Sequence, residues 1–442
     1  MRLPLLLFGS VGAVALTALL TTAACSSDDE PGATPAPDAA LVDAPDAPME
    51  LAVETFNIGL AGAFVPNEAA RRPKVIEAIG AMNADIVCLQ EAWFESDKDA
   101  IEAAAKATFP HVARRLHDLD TPIEDAADET GAVPPPFTTP PCSGASVARV
   151  ERGLECLAAS CSTIPSSMDG RTTSTACAIE SCQDRVAELV VGAPRCYGCL
   201  APLLPTETFA TIRQECTTNP KAGLGFNGAS GVMILSKYPL RDVDDLVLPG
   251  TWNRRVVLRA TADLPNGAAI DVHCNHLTPI FDGLSFPYTG QYGAGATTRV
   301  GWEAEQRLQA SKLLTYVEQR PGIAVVLGDF NTGPEVKKGD TVTVEAEGPR
   351  TYELLTSKLT PALAAGFEPQ CTYCGDNPNN NDTNKAWIDH VFLRGLGVDD
   401  VVTTERTFIE ANVSADVPDA GPVLVPLSDH YGLRASLRVP PP

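Results

Sequence analysis

The stretch VVLGDFNTGP, residues 325–334, is an apolar run that ends abruptly in polar residues. Side chains two residues apart in a strand share a face, so we predict that Asp329 and Asn331 point together while Phe330 packs the opposite way. Burying a carboxylate and an amide in hydrocarbon is costly, so the pair is expected at the mouth of a strand. The alternative is an Asx turn that simply closes the strand.

Polar side chains end or begin apolar runs at several other places in the chain. They are Asn57 in TFNIG, Glu91 in CLQE, His276 in CNHL, Asp389 in WIDHVF, and Asp429 and His430 in LSDHYGL. Each alone could be a helix cap or a surface residue. Their repetition favours one shared site, because polar residues at the ends of rigid strands are typical of functional sites.

Strand-like runs alternate with helical patterns along most of the sequence. LAVETFNIG is followed by a helical stretch over residues 68–82, then by the apolar run ADIVCLQE and a second helical stretch over 98–108. This alternation predicts an α/β architecture. A length of 442 residues allows one large domain or two smaller ones.

The motifs, taken in order, resemble those of the endonuclease/exonuclease/phosphatase superfamily. That group includes DNase I-like nucleases, bacterial neutral sphingomyelinases and inositol-phosphate phosphatases. The resemblance covers residues 50–116 and 220–440 and rests on TFNIG, LQEAW, SGVMILSKYPL, CNHL, GDFNTGP, WIDHVF and SDHYGL. It implies an α/β fold of the four-layer α+β sandwich type, in which two packed, mainly antiparallel β-sheets are flanked by helices.

The same resemblance implies a metal site. Glu91 matches the metal-binding glutamate of the superfamily, with Asn57 beside it and Asp429 nearby. Oxygen ligands suit a hard cation, so Mg²⁺ is expected, with Mn²⁺ or Ca²⁺ as substitutes.

The resemblance also implies catalytic roles. Asp329 would position or deprotonate the attacking water, and Asn331 would orient it. His430, paired with Asp389, would stabilise the phosphoryl transition state or share the role of base. His276 would contact phosphate or protonate the leaving group. Whether Asp329 or His430 is the general base stays open, and the implied reaction is phosphoester hydrolysis by in-line attack of water.

The N-terminus has the pattern of an export signal. Arg2 precedes an apolar segment over residues 3–20, and LLTTAAC ends at Cys25. Residues 1–24 therefore read as a signal peptide. The segment resembles a bacterial lipoprotein signal with Cys25 as the lipidated residue, and ordinary signal cleavage is the alternative. Residues 25–48 are rich in Ala, Pro and Asp and form a predicted acidic tether.

The thirteen cysteines support export, because removing Cys25 leaves an even number for disulfides. Eight lie between Cys142 and Cys216, in a predicted Cys-rich insertion over residues 118–219 that interrupts a main domain of residues 49–117 and 220–442. Two helical segments in this insertion each contain Cys-x4-Cys. Antiparallel packing would pair Cys156 with Cys182 and Cys161 with Cys177.

Three further cysteine interpretations follow. The Cys-x2-Cys spacing of Cys196 and Cys199 allows a zinc site as a rival to disulfides. A local Cys371–Cys374 disulfide is expected within CTYC. Cys88 and Cys274 lie alone in strand-like runs, so we interpret them as small buried hydrophobic residues.

Composition bears on the substrate. The net charge of −23 disfavours tight binding to nucleic acid. The preferred hypothesis is an exported, lipid-anchored, monomeric phosphodiesterase, held near a membrane of the cell envelope, that acts on a phospholipid head group or another small phosphoester. The alternatives are an extracellular or periplasmic nuclease, and a non-catalytic surface protein that binds a partner through the insertion.

Some polar and aromatic residues allow two interpretations. The loop with Phe281, Phe286, Tyr288 and Tyr292 would either contact lipid or pack on its own domain. Arg255 and its neighbour Arg254 would either meet phosphate or lie at an exposed strand edge. In the loop that contains CTYC, the residues Tyr373, Asn377 and Trp387 are candidates for contact with substrate.

Overall fold

The computed structural model describes residues 47–115, 137–161, 181–204, 207–220, 224–281, 286–293, 295–380, 383–417 and 421–442. The predictions about the signal peptide, Cys25, the tether up to residue 46 and the Cys161–Cys177 disulfide fall outside these residues. Within them, no helix is both long enough and apolar enough to cross a membrane.

The polar-ended runs of the sequence form strands. The strands are β1 Met49–Leu60, β2 Ile86–Ala92, β3 His111–Arg114, β4 Met233–Ser236, β5 Leu240–Leu248, β6 Arg255–Asp263, β7 Ala269–His276, β8 Ile323–Asp329, β9 Val336–Lys338, β10 Thr341–Val344, β11 Thr360–Pro361, β12 Tyr373–Cys374, β13 Lys385–Ala386, β14 Asp389–Arg394, β15 Val401–Thr407, β16 Val413–Val417, β17 Gly421–Val425 and β18 Gly432–Val439.

Helices lie between them. They are α1 Glu68–Gly80, α2 Glu95–Ala105, α3 Ala145–Ser160, α4 Gln183–Gly192, α5 Pro194–Leu203, α6 Phe209–Thr218, α7 Arg299–Glu318 and α8 Pro349–Thr356.

Two large sheets form the centre of the fold. The first sheet has the order β15-β18-β1-β2-β4-β3, and the second has the order β11-β14-β8-β7-β6-β5. Each contains one parallel pair, β1 with β2 and β7 with β8, while the other neighbours are antiparallel. The predicted pair of mainly antiparallel sheets is therefore confirmed.

The hydrophobic core has three layers, which accounts for the sandwich. Val53 and Ile86 of the first sheet meet Val272 and Leu327 of the second in the central layer. The outer face of the first sheet packs on α1 and α2, and the outer face of the second sheet packs on α7 and α8. Successive residues of a central strand thus face two different apolar layers, and both faces of the strand are buried. For this reason the strand sequences are nearly continuous apolar runs.

The direction of the strands decides where their polar ends meet. β1 and β2 run parallel and end at Leu60 and Ala92, while β7 and β8 run parallel and end at His276 and Asp329. β14 runs antiparallel to β8 and starts at Asp389, so its first residue lies beside the last residue of β8.

The helices α3 to α6 form the described part of the Cys-rich insertion and have an apolar core of their own. Their disulfides are Cys142–Cys196, Cys156–Cys182 and Cys199–Cys216. The Cys156–Cys182 pairing is the one expected from antiparallel helices. The zinc interpretation of Cys196 and Cys199 is wrong, because each of these sulfurs is bonded to another cysteine.

Two more disulfides lie in the main domain. Cys371 and Cys374 are bonded to each other, as CTYC predicted. Cys88 and Cys274 are also bonded, across the central layer from β2 to β7. The interpretation of these two as separate small buried hydrophobic residues is correct about their burial and wrong about their separateness. Each is fully buried, but its side chain points toward the facing sheet and meets the other there.

Candidate active site

Asp329 is the centre of the polar cluster. It is the last residue of β8 and stands in register with His276 of β7 on one side and Asp389 of β14 on the other. Its carboxylate oxygen Oδ2 lies 3.4 Å from His276 Nε2 and 3.9 Å from His430 Nε2. Burial and the neighbouring Asp389 carboxylate raise the pKa of Asp329 to about 7.

Asn331 differs from the prediction. The strand ends at Asp329, so the two side chains do not share a strand face. Asn331 instead adopts a left-handed conformation with φ of 50°, which asparagine tolerates well. Its backbone N–H donates to Asp329 Oδ1 at 2.8 Å, and its side-chain amide donates to the Leu277 carbonyl at 3.0 Å. The Asx turn weighed as an alternative is therefore present, and it orients the Asp329 carboxylate.

Asn57 joins the two sheets at the site. Its side-chain amide donates to Asp329 Oδ2 at 2.9 Å and to Glu91 Oε1 at 3.3 Å. Its side-chain oxygen accepts the N–H of Gly59 at 3.1 Å. One amide of the first sheet thus fixes carboxylates that end strands in both sheets.

A β-bulge brings Glu91 to this position. The register between β1 and β2 shifts after Asn57, and both Gly59 and Glu91 have positive φ, 57° and 61°. A Cβ on Gly59 would lie 2.5 Å from Asp429 Oδ1, so glycine is required for the close approach as well as for the backbone conformation. A left-handed glutamate is uncommon, and such strain concentrates at functional sites.

Glu91 and Asp429 form a pair of like charges. Burial raises the pKa of the Glu91 carboxyl, and the Asp429 carboxylate raises it further, while His430, Asn57 and Arg255 oppose the shift. Asp429 Oδ1 accepts a hydrogen bond from Ser428 Oγ at 3.0 Å. Two carboxylates that repel each other in a low-dielectric cleft would be stabilised by a bound cation.

His430 is oriented by Asp389. Its Nδ1 lies 2.9 Å from Asp389 Oδ2, so Nε2 faces Asp329. Burial alone would lower the pKa of His430, but the charges of Asp389, Asp329 and Asp429 outweigh it and hold the pKa well above its usual value. The surrounding carboxylates therefore favour the imidazolium form of His430.

A second arrangement of possible metal ligands lies in the same cluster. Asp329, Asp389 and His430 each present one ligand atom within 4.8 Å of the others. The His430–Asp389 hydrogen bond already accounts for this proximity, so we favour Glu91, Asp429 and Asn57 as the cation ligands.

His276 and Arg255 come from β7 and β6, on the opposite side of β8 from Asp389. Burial, with Arg255 and His430 nearby, lowers the pKa of His276 well below its usual value, so its ring is neutral. Burial also lowers the pKa of Arg255 to about 10, although Glu91, Asp329 and Glu305 favour its charge. Arg255 is nearly fully buried, so the alternative of an exposed strand edge is wrong.

Arg71 fixes the backbone near Asn57 and Asp429. Its guanidinium donates to the carbonyls of Gly59 at 2.7 Å and Leu427 at 2.9 Å, which flank Asn57 and Asp429 in the chain. Sequence reasoning missed this residue. Its burial could have been predicted from its position, because Arg71 lies on the same face of α1 as Val75 and Ile79, at intervals of four residues.

The described aromatic loop residues pack on their own domain. Tyr288 is buried, and Phe281 and Phe286 stack on each other and contact Trp252. This is the second of the two outcomes expected for the loop. The lipid-contacting alternative receives no support from these residues.

Two candidates for substrate contact are also buried. Asn377 donates to the Ser428 carbonyl at 2.9 Å, and Trp387 packs against His390. Tyr373 is half-buried, and its ring centroid lies 5.2 Å from that of His430.

Comparison with known proteins gives a family and distant structural similarities. The model of the Endonuclease/Exonuclease/phosphatase family matches residues 55–430. No curated protein matches the sequence.

Three of the similar solved structures illustrate the range of those similarities. Sphingomyelinase C from Streptomyces griseocarneus is 15% identical, with coverage of 88% of this chain and 99% of that chain and a TM-score of 0.48. The beta toxin from Staphylococcus aureus, a mutant with bound magnesium ions, is 14% identical, with coverage of 88% and 99% and a TM-score of 0.45. Truncated TDP2 from Caenorhabditis elegans is 12% identical, with coverage of 88% and 97% and a TM-score of 0.41.

Proposed function

Because the chain belongs to the endonuclease/exonuclease/phosphatase family, we propose that it is a metal-dependent phosphoester hydrolase. The observation that carries the proposal is the hydrogen-bonded arrangement of Glu91, Asn57 and Asp329, with the His430–Asp389 pair beside it. Carboxylates, an amide and a histidine from both sheets converge in one largely buried cluster, and this set would provide cation ligands, a proton acceptor and a positive charge together.

The residues at the cleft fit a hard divalent cation. Glu91 and Asp429 are neighbouring carboxylates with oxygen donors, and burial together with the Asp429 charge raises the pKa of Glu91. We assign Glu91, Asp429 and Asn57 as its ligands and Mg²⁺ as the expected ion, with Mn²⁺ or Ca²⁺ as substitutes. When bound, the cation would neutralise charge on a phosphate oxygen and on the leaving oxygen.

The electrostatics favour Asp329 over His430 as the general base. Asp329 has a pKa of about 7, close to neutral pH, where a proton acceptor is most effective. The carboxylates around His430 favour its protonated form, which has no free lone pair to accept a proton. Asp329 would take a proton from water, the water oxygen would bond to phosphorus in line, and the bond from phosphorus to the leaving oxygen would break. His430 would stabilise the negative charge that develops on the phosphoryl oxygens.

Arg255 and His276 provide further contacts for a phosphate. The Arg255 Nη1 atom is buried and has no hydrogen-bond partner among the described residues, and the same holds for His276 Nδ1. A buried donor without an acceptor is costly, so an anionic ligand would stabilise the Arg255 guanidinium. The neutral His276 ring has a single N–H, so it would contact a ligand as a donor or as an acceptor according to its tautomer. The low pKa of His276 favours a hydrogen-bonding contact over the role of leaving-group acid.

The substrate we favour is a phospholipid head group or another small phosphoester. Two of the cations that act on the site carboxylates, Arg71 and Arg255, are buried and thus form no surface for a long polyanion. The net charge of −23 also disfavours binding of a long polyanion such as DNA or RNA. We therefore rank DNA or RNA below small phosphoesters.

The disulfides place the chain in an oxidising compartment, so it is an exported protein. We further propose that Cys25 carries a lipid that holds the enzyme, as a monomer, at a membrane of the cell envelope. Mass spectrometry of the mature N-terminus tests this anchor, and release of a Cys25→Ser variant into the soluble fraction would support it.

One panel of assays tests the function. The oxidised protein is incubated with bis-p-nitrophenyl phosphate, sphingomyelin, plasmid DNA and inositol phosphates, each with Mg²⁺ and with EDTA. We expect hydrolysis of at least one small or lipid phosphoester, and its loss in EDTA and in Asp329→Asn.

Hydrolysis of plasmid DNA alone, with a steep loss of activity on added salt, would favour a nuclease instead. Turnover of no substrate would favour a binding protein. Turnover that persists in Asp329→Asn would show that the active site lies elsewhere.

A further inference from the structure

We propose that residues 371–380, here called the clip, are a positioning element for the Asp389–His430 pair, with Thr372 as its central positioning residue. The catalytic meaning of this proposal rests on the proposed function, but the geometry of the clip does not. Asp389 opens β14 in the second sheet, and His430 precedes β18 in the first sheet. The two residues therefore need a connection that neither sheet provides.

Thr372 holds the Asp389 side of the pair. Its hydroxyl oxygen accepts the backbone N–H groups of Ile388 and Asp389, each at 3.1 Å. Its own N–H donates to the Ala386 carbonyl at 3.0 Å. Thr372 is almost fully buried, so these hydrogen bonds are not exposed to competition from water.

The same residue holds the His430 side. The Thr372 carbonyl accepts the N–H of Tyr431 at 2.9 Å, and Tyr373 forms an isolated antiparallel bridge with His430. The Tyr373 ring also lies against the imidazole, with centroids 5.2 Å apart. Two consecutive residues thus bind the backbones of both members of the pair.

Three asparagines continue the clip along the segment before His430. Asn377 and Asn380 donate to the Asp429 carbonyl at 3.1 and 3.3 Å, and Asn379 donates to the Pro426 carbonyl at 3.0 Å. These side-chain amides bind backbone carbonyls that the N–H groups of a neighbouring strand would bind in a sheet. The backbone that carries Asp429 and His430 is consequently fixed by the clip.

The clip itself is closed at its start. The Cys371–Cys374 disulfide encloses Thr372 and Tyr373, and Arg406 donates to the Cys371 carbonyl at 2.7 Å. The Arg406 guanidinium also lies over the Tyr431 ring, 4.8 Å from its centroid. A short covalent loop restricts the conformations that Thr372 can adopt, which suits a residue that must align two others.

The test compares Thr372→Val with Thr372→Ser in the oxidised protein. Valine has nearly the same shape but no hydroxyl, whereas serine keeps it. We expect Thr372→Val to lower kcat about 100-fold with KM changed far less, because a small displacement of reacting groups is enough for such a loss. Thr372→Ser keeps the hydroxyl, so its kcat should stay within about threefold of the wild-type value.

A readout that requires no turnover separates this proposal from the proposed function. The proton between His430 Nδ1 and Asp389 gives a low-field ¹H NMR signal, which is assigned by its loss in His430→Asn. We expect the signal to shift or vanish in Thr372→Val and to persist in Thr372→Ser. If Thr372→Val does not fold, Cys371→Ser/Cys374→Ser tests the clip through the same signal.

Unchanged kcat and an unchanged low-field signal in Thr372→Val would overturn the proposal. Equal losses in the valine and serine variants would also overturn it, because they would indicate a packing effect. If the wild type hydrolyses no phosphoester, the proposed function fails while the NMR comparison still tests the alignment.

Discussion

His430 Nδ1 lies 2.9 Å from Asp389 Oδ2, although the two residues belong to segments of different sheets. The pair is buried, and the other ring nitrogen of His430, Nε2, lies 3.9 Å from Asp329 Oδ2. Removing the imidazole would leave both carboxylates without their cation.

We predict that His430→Asn lowers kcat by about 10²- to 10⁴-fold, the range typical of a lost proton-transfer or charge-stabilising group. Steady-state kinetics on the substrate found in the assay panel provide the measurement. The matched control is His111→Asn on β3, which we expect to retain activity within about twofold. Comparable losses in both variants would point to a general effect of histidine replacement.

We predict that Glu91→Gln weakens cation binding by at least about 100-fold, because one charged oxygen ligand is lost. Calorimetric titration of the apo protein with Mn²⁺ or Mg²⁺ measures the affinity directly, without substrate. Glu77→Gln changes a glutamate that is exposed and ion-paired with Lys74, and it should bind the cation as the wild type does. Equal affinities for the Glu91 variant and the wild type would remove Glu91 from the ligand set.

We predict that the apo protein loses stability as the pH rises from 5 to 8. Asp329 and Glu305 are buried, and burial raises the pKa of each to about 7. A carboxyl with a raised folded-state pKa contributes stability below its unfolded pKa, and this contribution is lost as the pH rises through the folded value.

Glu305→Gln isolates one of these groups without changing a cation ligand. Glu305 accepts a hydrogen bond from the Tyr288 hydroxyl at 2.9 Å, and glutamine keeps an acceptor there. Urea unfolding at pH 5 and pH 8 in EDTA should show a pH-dependent loss of stability that is smaller in the variant by about 2 kcal/mol. The same loss in both proteins would mean that Glu305 has an ordinary pKa.

We predict that Cys88→Ala/Cys274→Ala lowers the free energy of unfolding by about 2–4 kcal/mol and also reduces kcat/KM. The disulfide lies three residues before Glu91 on β2 and two before His276 on β7, so it sets the distance between strands that carry site residues. Cys199→Ala/Cys216→Ala removes a disulfide between α5 and α6 and should lower stability without a comparable loss of activity. Equal activity losses would show that the position of the cross-sheet disulfide is unimportant.

The strands and the approximate site were predictable because they follow local rules. Apolar runs ending in Asn57, Glu91, His276 and Asp329 gave both the strands and the edge at which they meet, and parallel neighbours bring such ends together. Asn331 was placed wrongly since periodicity does not indicate at which residue a strand ends.

What was missed depends on contacts between distant segments. Cys88 and Cys274 are 186 residues apart, and their bond forms only because β2 and β7 face each other across the core. Arg255 starts a strand, and no local pattern distinguishes a buried start from an exposed edge. Thr372 acts through hydrogen bonds to residues 388, 389 and 431, which only the folded chain brings together.

The cross-sheet disulfide also has an evolutionary consequence. Helices α3 to α6 lie between Cys88 and Cys274 in the chain, inside the covalent ring that this disulfide closes. The disulfide therefore fixes the distance between β2 and β7 whatever the length or sequence of these helices. Such an arrangement would tolerate insertions or deletions in the helical region without moving Glu91 away from His276.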